Sequence, residues 1–155
     1  MARYKTAVES AAAVGAGVTF ANVPAGTTGG YKLRRVILGV RAGAGVPTSQ
    51  QLTVGIRRAT ARGTATTTVA HERMDPGSVP AVSPGIDTVW SVNPTLAAAT
   101  LLAASFNSQS GVDLPIEAME ELLAAAGNAN GLALVNVGNA LPASHLYTVT
   151  LEIEE

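Results

Sequence analysis

The two histidines are the first residues in this sequence whose side chains could carry out chemistry. His71 and His145 lie far apart in the chain, and a zinc site or a catalytic triad would need further ligands or partners near one of them. Glu72 follows His71 directly, but adjacent residues of a strand point to opposite faces, so these two side chains would not converge. We therefore expect each histidine to lie at the surface or at a strand end, without a catalytic role.

Other patterns that could support catalysis are incomplete. Phosphate-binding loops end in Lys followed by Ser or Thr, and the two GAGV stretches at 15–18 and 43–46 have no such lysine. The acid pairs at 120–121 and 154–155 are consecutive, so their carboxylates do not converge as a catalytic dyad would. The absence of cysteine excludes thiolate metal sites and cysteine nucleophiles. The sequence predicts a protein that is not an enzyme and that binds no cofactor or metal.

Charge is divided unevenly along the chain, although the formal net charge is only −1. Residues 1–73 hold all ten Lys and Arg with two acids, a net of +8, and residues 74–155 hold the other nine acids, a net of −9. Either the two parts neutralise each other across neighbouring strands of one fold, or basic and acidic patches meet across subunits. Nucleic acid is not an expected partner, because residues 57–73 contain no aromatic side chain to stack on bases.

The end of the chain carries the candidate interaction site. Apolar and polar residues alternate through YTVTLEIEE, residues 147–155, as in a strand with one buried and one polar face. Two glutamates on the polar face concentrate negative charge, which costs self-repulsion unless cations lie nearby. We expect them to face arginines, either across the sheet or on a neighbouring protein. The candidate interaction residues are Arg34, Arg57, Arg58, Arg62, Glu152 and Glu154.

Turn signals divide the chain into eight or nine short strands, about one in every ten residues. Sixteen glycines and eight prolines along the chain favour an all-β fold over a helical bundle. The pattern predicts a single antiparallel β-sandwich over residues 1–155, and about eight strands suit a jelly roll. Both terminal strands are regular, so we expect both chain ends to pair into a sheet. The predicted core residues are Val36, Leu38, Val54, Ile56, Leu134, Val149 and Leu151.

One stretch departs from the strand pattern. DLPIEAMEELLAAAG, residues 113–127, has Ile116, Met119, Leu122, Leu123 and Ala126 at helical spacing, and Glu117, Glu120 and Glu121 on the opposite face. Asp113 suits the N-terminal cap, Pro115 suits the first turn, and Gly127 suits the end of a helix. The sequence therefore predicts one short helix near 113–127.

The composition also predicts a protein that associates with other proteins. Mean hydropathy is +0.28 and only 14% of the residues are charged, so we expect part of the apolar surface to meet a partner. No uninterrupted apolar stretch of about 18 residues or more occurs, so no membrane span is expected. The polar residues around Glu9 do not fit a signal peptide.

Four segments carry a resemblance to a known group of proteins. They are MARY at 1–4, IDTVWSVNPT at 86–95, LALVNVG at 132–138 and YTVTLEIEE at 147–155. Together they resemble small bacteriophage virion proteins, found often in phages of actinobacteria and typically jelly-roll-like β-sandwiches. The resemblance implies a capsid decoration, or cement, protein that forms a homotrimer on the outer capsid surface. Its implied partner is the major capsid protein.

Two alternatives to the decoration role remain open from the sequence. Some proteins of the same look belong to phage tails or fibres. A carbohydrate-binding β-sandwich is the alternative from another class, and such sites usually present exposed aromatic side chains for sugars to stack on. The chain has one Trp, three Tyr and two Phe, which is a small supply for that purpose.

Overall fold

Every regular element that the structure describes is a β-strand. A computed structural model of the protein describes residues 1–117 and 121–155. In chain order the strands are β1 Arg3–Glu9, β2 Thr19–Pro24, β3 Tyr31–Arg41, β4 Gln51–Ala61, β5 Thr64–Val69, β6 Glu72–Arg73, β7 Ile86–Val92, β8 Thr95–Asn107, β9 Val112–Pro115, β10 Leu122–Ala124, β11 Gly131–Asn136 and β12 Leu146–Glu154.

The strands form two antiparallel sheets of six strands each, so the all-β prediction is confirmed and a β-sandwich is consistent with the structure. Sheet A has the order β10-β3-β12-β1-β6, and β9 pairs with β3 as well. Sheet B has the order β5-β7-β2-β11-β4-β8. The count exceeds the predicted eight mainly because short strands, such as the two-residue β6, extend the sheet edges.

The core is made from the alternating apolar residues of both sheets. All seven predicted core residues are buried, which confirms that prediction. The aromatic rings of Phe20 from β2 and Tyr147 from β12 stack with their centroids 4.3 Å apart, and they join sheet B to sheet A. Such a stacked pair adds to the free energy gained by burying the two rings.

The two parts of the chain pair with each other throughout the fold. Residues 1–73 form β1 to β6 and residues 74–155 form β7 to β12, and nine of the ten strand pairings among the described residues join one part to the other. The sequence separation between paired residues decreases from the pairing of β1 with β12 to the pairing of β5 with β7. Opposite one another lie Arg3 and Glu154, Pro24 and Gly131, Leu33 and Leu122, Leu52 and Phe106, and Val69 and Ile86.

Four of these strands form one long antiparallel ribbon. Only Arg62 and Gly63 separate β4 from β5, and only two residues separate β7 from β8, so β4 and β5 run beside β8 and β7. At the junction Gly63 has a φ of 74°, and a Cβ at this position would collide with the Val92 carbonyl oxygen. The ribbon can therefore pass its junction only with glycine there.

The predicted helix near 113–127 is wrong. β9 occupies Val112–Pro115 and β10 occupies Leu122–Ala124, and both pair with β3, whose eleven residues offer a long edge of unpaired N–H and C=O groups. Pairing with that edge overrides a local helical preference. Ile116 is buried as predicted, but Leu123 is exposed. Met119 and Glu120 of the predicted helix lie outside the described residues.

Both chain ends lie in sheet A, as the regular terminal strands predicted. β1 pairs with β12 over seven residues, and the backbones of Ala2 and Glu155 exchange hydrogen bonds in both directions. Within the described residues no helix is long and apolar enough to cross a membrane.

Candidate protein-interaction face

The candidate face is the polar side of β12, which lies between β3 and β1 in sheet A. Tyr147, Val149, Leu151 and Ile153 are buried in the core, and the intervening residues form the polar side. Glu152 and Glu154 are nonetheless largely covered, because longer side chains of the neighbouring strands close over them. The position of the two glutamates thus follows from the alternation seen in the sequence, and their burial follows from their neighbours.

An ion ladder of alternating charges crosses this face. The Arg34 Nε donates to Glu154 Oε2 at 2.6 Å, and Arg3 lies 3.5 Å from Glu152 and 3.9 Å from Glu154. On the other side of Arg34, Glu121 lies 3.7 Å from Arg34 and 2.7 Å from Lys32 Nζ. We call these six residues the ion ladder. The hydrogen bond from Arg34 lowers the pKa of the Glu154 carboxyl, and neighbouring positive charges act in the same direction.

Two further ion pairs flank the ladder on sheet A. The Arg35 guanidinium binds the Asp113 carboxylate through two hydrogen bonds, and this contact lowers the pKa of Asp113. The Arg41 guanidinium binds Glu9 in the same manner at 2.7 and 2.8 Å, which lowers the pKa of Glu9. Both pairs are substantially exposed, so each contributes little to the free energy of folding.

The structure brings one of the four predicted arginines, Arg34, to the glutamates of β12. The other three lie on or beside sheet B. Arg57 donates to the Thr100 hydroxyl at 3.0 Å, and Arg58 donates to the Leu123 carbonyl. Arg62 binds the fully buried Asp87 carboxylate through two hydrogen bonds of 2.8 Å.

Sequence reasoning missed Arg3 and Lys32 as members of the ion ladder. A signal for Arg3 was present, because pairing the first strand with the last places Arg3 opposite Glu154. Lys32 also lies opposite Glu154, on the β3 side of β12, but it binds Glu121. That contact could not be found while residues 113–127 were predicted as a helix.

The division of charge along the chain becomes neutralisation within the fold. Of the eight ion pairs found among the described residues, seven join residues 1–73 to residues 74–155. The cause is the strand pairing, which sets the basic part beside the acidic part. The structure therefore supports the first of the two explanations of the charge pattern, and contact across subunits stays a proposal.

His71 bridges β1 and the loop at 75–85. Its Nδ1 lies 2.6 Å from the Thr6 hydroxyl, and its Nε2 lies 3.1 Å from the Ser83 hydroxyl. Ser83 itself donates to the Pro24 carbonyl, so its oxygen is left to accept a hydrogen bond from Nε2–H. This is the reverse of a catalytic serine, which donates to histidine. Burial lowers the pKa of His71 to about 4, so the ring is neutral near pH 7.

His145 also has a structural place, immediately before β12. Its side chain is buried; its Nδ1 donates to the Ala143 carbonyl, and its Nε2 accepts from the Thr48 backbone N–H. It is thus a strand-end histidine, as predicted, and it ties the loop before β4 to the loop before β12. Among the described residues no group of three or more His, Asp or Glu is arranged to hold a metal ion.

The loop at 75–85 is fixed in place by hydrogen bonds to residues at both ends of the chain. The Glu155 carboxylate accepts hydrogen bonds from the Val82 and Ser83 backbone N–H groups at 2.7 and 2.8 Å. The Tyr4 hydroxyl donates to the Val79 carbonyl at 2.8 Å. These three backbone groups of the loop are therefore paired within the protomer, whereas the Val79 and Val82 side chains are exposed beside Met1.

Comparisons with known proteins add little. No family model matches the sequence, and no curated protein matches it. The chain is similar to the solved structure of tomato aspermy virus, with 11% sequence identity, a TM-score of 0.33, and coverage of 98% of this chain and 78% of that one. A likeness of this size carries no argument about fold or function.

Proposed function

We propose that this protein is a non-enzymatic structural protein of a bacteriophage virion. Specifically, it is a capsid decoration protein that binds the outside of an assembled capsid as a homotrimer and stabilises it. Its partner in this role is the major capsid protein. The proposal joins the sequence resemblance to the strand order of the two sheets.

The strand order is the observation that carries the proposal. Apart from β5, β6, β7 and β10, the strands have the orders β1-β12-β3-β9 and β2-β11-β4-β8, so each early strand lies beside a late one. The chain alternates between the two sheets from β1 to β4. The strands β8, β9, β11 and β12 then pair with β4, β3, β2 and β1, in that order. This arrangement supports a jelly roll, an architecture common in viral capsid domains and also used by lectins.

The segments that carry the resemblance are parts of this same framework. MARY leads into β1, and YTVTLEIEE forms most of β12 beside it. IDTVWSVNPT spans β7 and the start of β8, and LALVNVG forms most of β11. All four segments therefore belong to strands of the two sheets or to their immediate ends.

The aromatic residues favour the virion role over carbohydrate binding. All six lie in the described part of the chain, and Tyr4, Phe20, Tyr31, Phe106 and Tyr147 are buried. Trp90, the sixth, is partly buried. A sugar-binding platform needs an exposed aromatic face, and these residues supply at most part of one.

A decoration protein acts by mass action. It binds the assembled shell more tightly than the free capsid subunit, so its binding free energy adds to the stability of the shell. The protomer suits this role because its chain ends are paired and seven ion pairs join its two parts internally. We expect its fold to change little on binding.

The test is sedimentation of the purified protein with shells assembled from the major capsid protein of the same phage. The protein should travel with the shells and not with unassembled subunits, and decorated particles should release their genomes at a higher temperature than particles without it. Binding to purified tails instead would favour the tail or fibre alternative. No binding to either would overturn the virion role.

A further inference from the structure

The free edges of the two sheets differ in a way that points to self-association. Sheet A ends in β6, a charged strand of two residues, and in β9 and β10, which have four and three residues. Short, charged edge strands are a usual protection against pairing with another chain. Sheet B ends in β5 and β8, which have six and thirteen residues and contain no charged residue.

The second half of β8 is the part that pairs with β4 without register shifts. Leu102–Asn107 pairs residue for residue with Gln51–Ile56, whereas the first half of β8 contains register shifts against β4. On its other side this half of β8 has no strand beside it in the described part of the chain. Its exposed side chains are small and uncharged, as are those of β5.

We propose that Leu102–Asn107 of β8 pairs with β5, Thr64–Val69, of a second copy of this chain. The two segments have the same length of six residues, and each offers unpaired backbone N–H and C=O groups that a strand can satisfy. They lie on opposite strands of the ribbon, so one protomer can use both at once.

A second copy is the occupant because one contact between copies removes both free edges. Pairing β8 with another β8 would leave β5 open, but pairing β8 with β5 leaves neither edge open. Neither segment contains a charged residue, so no like charges oppose each other in the contact. A head-to-tail contact of this kind closes into a ring when its rotation allows it. This inference does not rest on the virion role, since a ring could form without binding a shell.

The experiment measures the mass of the full chain by light scattering or analytical ultracentrifugation over a concentration series. Ala103→Lys places a charge on the β8 edge, and Thr66→Lys places one on the β5 edge; both positions are exposed. Val46→Lys is the matched control, because Val46 is 77% exposed and lies in the loop between β3 and β4, outside both proposed edge strands. Circular dichroism confirms that each variant is folded, and Ser105→Lys replaces Ala103→Lys if the latter does not fold.

The proposal predicts different assembly states for the control, for each edge variant alone and for the mixture of the two edge variants. The unmodified chain and the Val46→Lys variant should assemble as concentration rises, and each edge variant alone should stay monomeric. An equal mixture of the two edge variants still has one good β8 edge and one good β5 edge, so it should reach twice the protomer mass and stop. A Thr66→Lys variant that assembles as well as the unmodified chain would overturn the proposal. So would a mixture that stays monomeric, or an unmodified chain that is monomeric at every concentration.

Discussion

At the scale of single residues, the Arg34–Glu154 pair shows how sheet A holds charge under cover. The two side chains are only 16% and 8% exposed, and they meet at 2.6 Å. A charge in such a place is tolerable only while its partner is present, because an uncompensated buried charge is strongly destabilising. The ion ladder is therefore first a structural feature of the protomer.

Removing the Glu154 charge should destabilise the protomer. Glu154→Gln weakens the hydrogen bond from Arg34 and leaves that guanidinium with only the more distant Glu121 carboxylate, so we expect a loss of about 1–3 kcal/mol in the free energy of unfolding. Urea denaturation measures the loss, with Glu117→Gln, an exposed glutamate, as the control. If both variants unfold at the same urea concentration as the unmodified chain, the Arg34–Glu154 pair does not stabilise the protomer. A role in contact with another protein then becomes the better account.

Acid should weaken the protein first through His71. Its pKa is lowered from 6.5 to about 4 in the fold, so the unfolded chain binds a proton at a higher pH than the folded one. Stability should therefore fall as the pH drops from about 6.5 to about 4, by on the order of 2–3 kcal/mol. Denaturation of His71→Gln over the same pH range should show a flatter profile. An equal slope in both proteins would contradict this assignment.

At the scale of elements, the long ribbon depends on its junction at Gly63. Gly63 and Gly17 have nearly the same backbone angle, with φ of 74° and 75°, but a Cβ at Gly17 would meet no atom within 4 Å. Gly17→Ala should cost about 1–2 kcal/mol from backbone strain. Gly63→Ala should cost that plus about 1–3 kcal/mol from the collision with Val92. Equal melting temperatures for the two variants would show that the backbone around Gly63 can shift to accommodate a Cβ.

The elements also show what the sequence could and could not predict. The alternation of β12 and the seven core residues were visible, because period-2 burial is a local pattern. The segment at 113–127 was misassigned, because the free edge of β3 that recruits Asp113 and Leu122 is distant in sequence. Arg3 was missed because the sequence predicted only that both chain ends pair into a sheet, and not that β1 pairs with β12 and sets Arg3 opposite Glu154.

At the scale of the whole molecule, the fold depends on pairing between the two parts of the chain. None of the pairings found among the described residues joins two of the strands β7 to β12, and β1–β6 is the one pairing within the first part. Neither part can satisfy its own backbone hydrogen bonds as a sheet. The opposite net charges of the two parts favour their association.

Separating the two parts tests this dependence. Fragments 1–77 and 78–155, cut within the loop at 75–85, should each lack the circular-dichroism signal of β-sheet, and a mixture should regain it with a cooperative melt. High salt should slow the recovery, because it screens the attraction between the basic and acidic fragments. A fragment that melts cooperatively by itself would show that its strands have found partners within that part.

The most direct test of the virion role is an electron cryo-microscopy reconstruction of the phage particle that contains this protein. We predict density for the two-sheet protomer on the outer surface of the capsid, repeated in groups of three, with both chain ends still paired between β1 and β12. Density for the protomer on the tail would contradict the decoration role. A complete reconstruction in which neither head nor tail contains this fold would contradict the virion role itself.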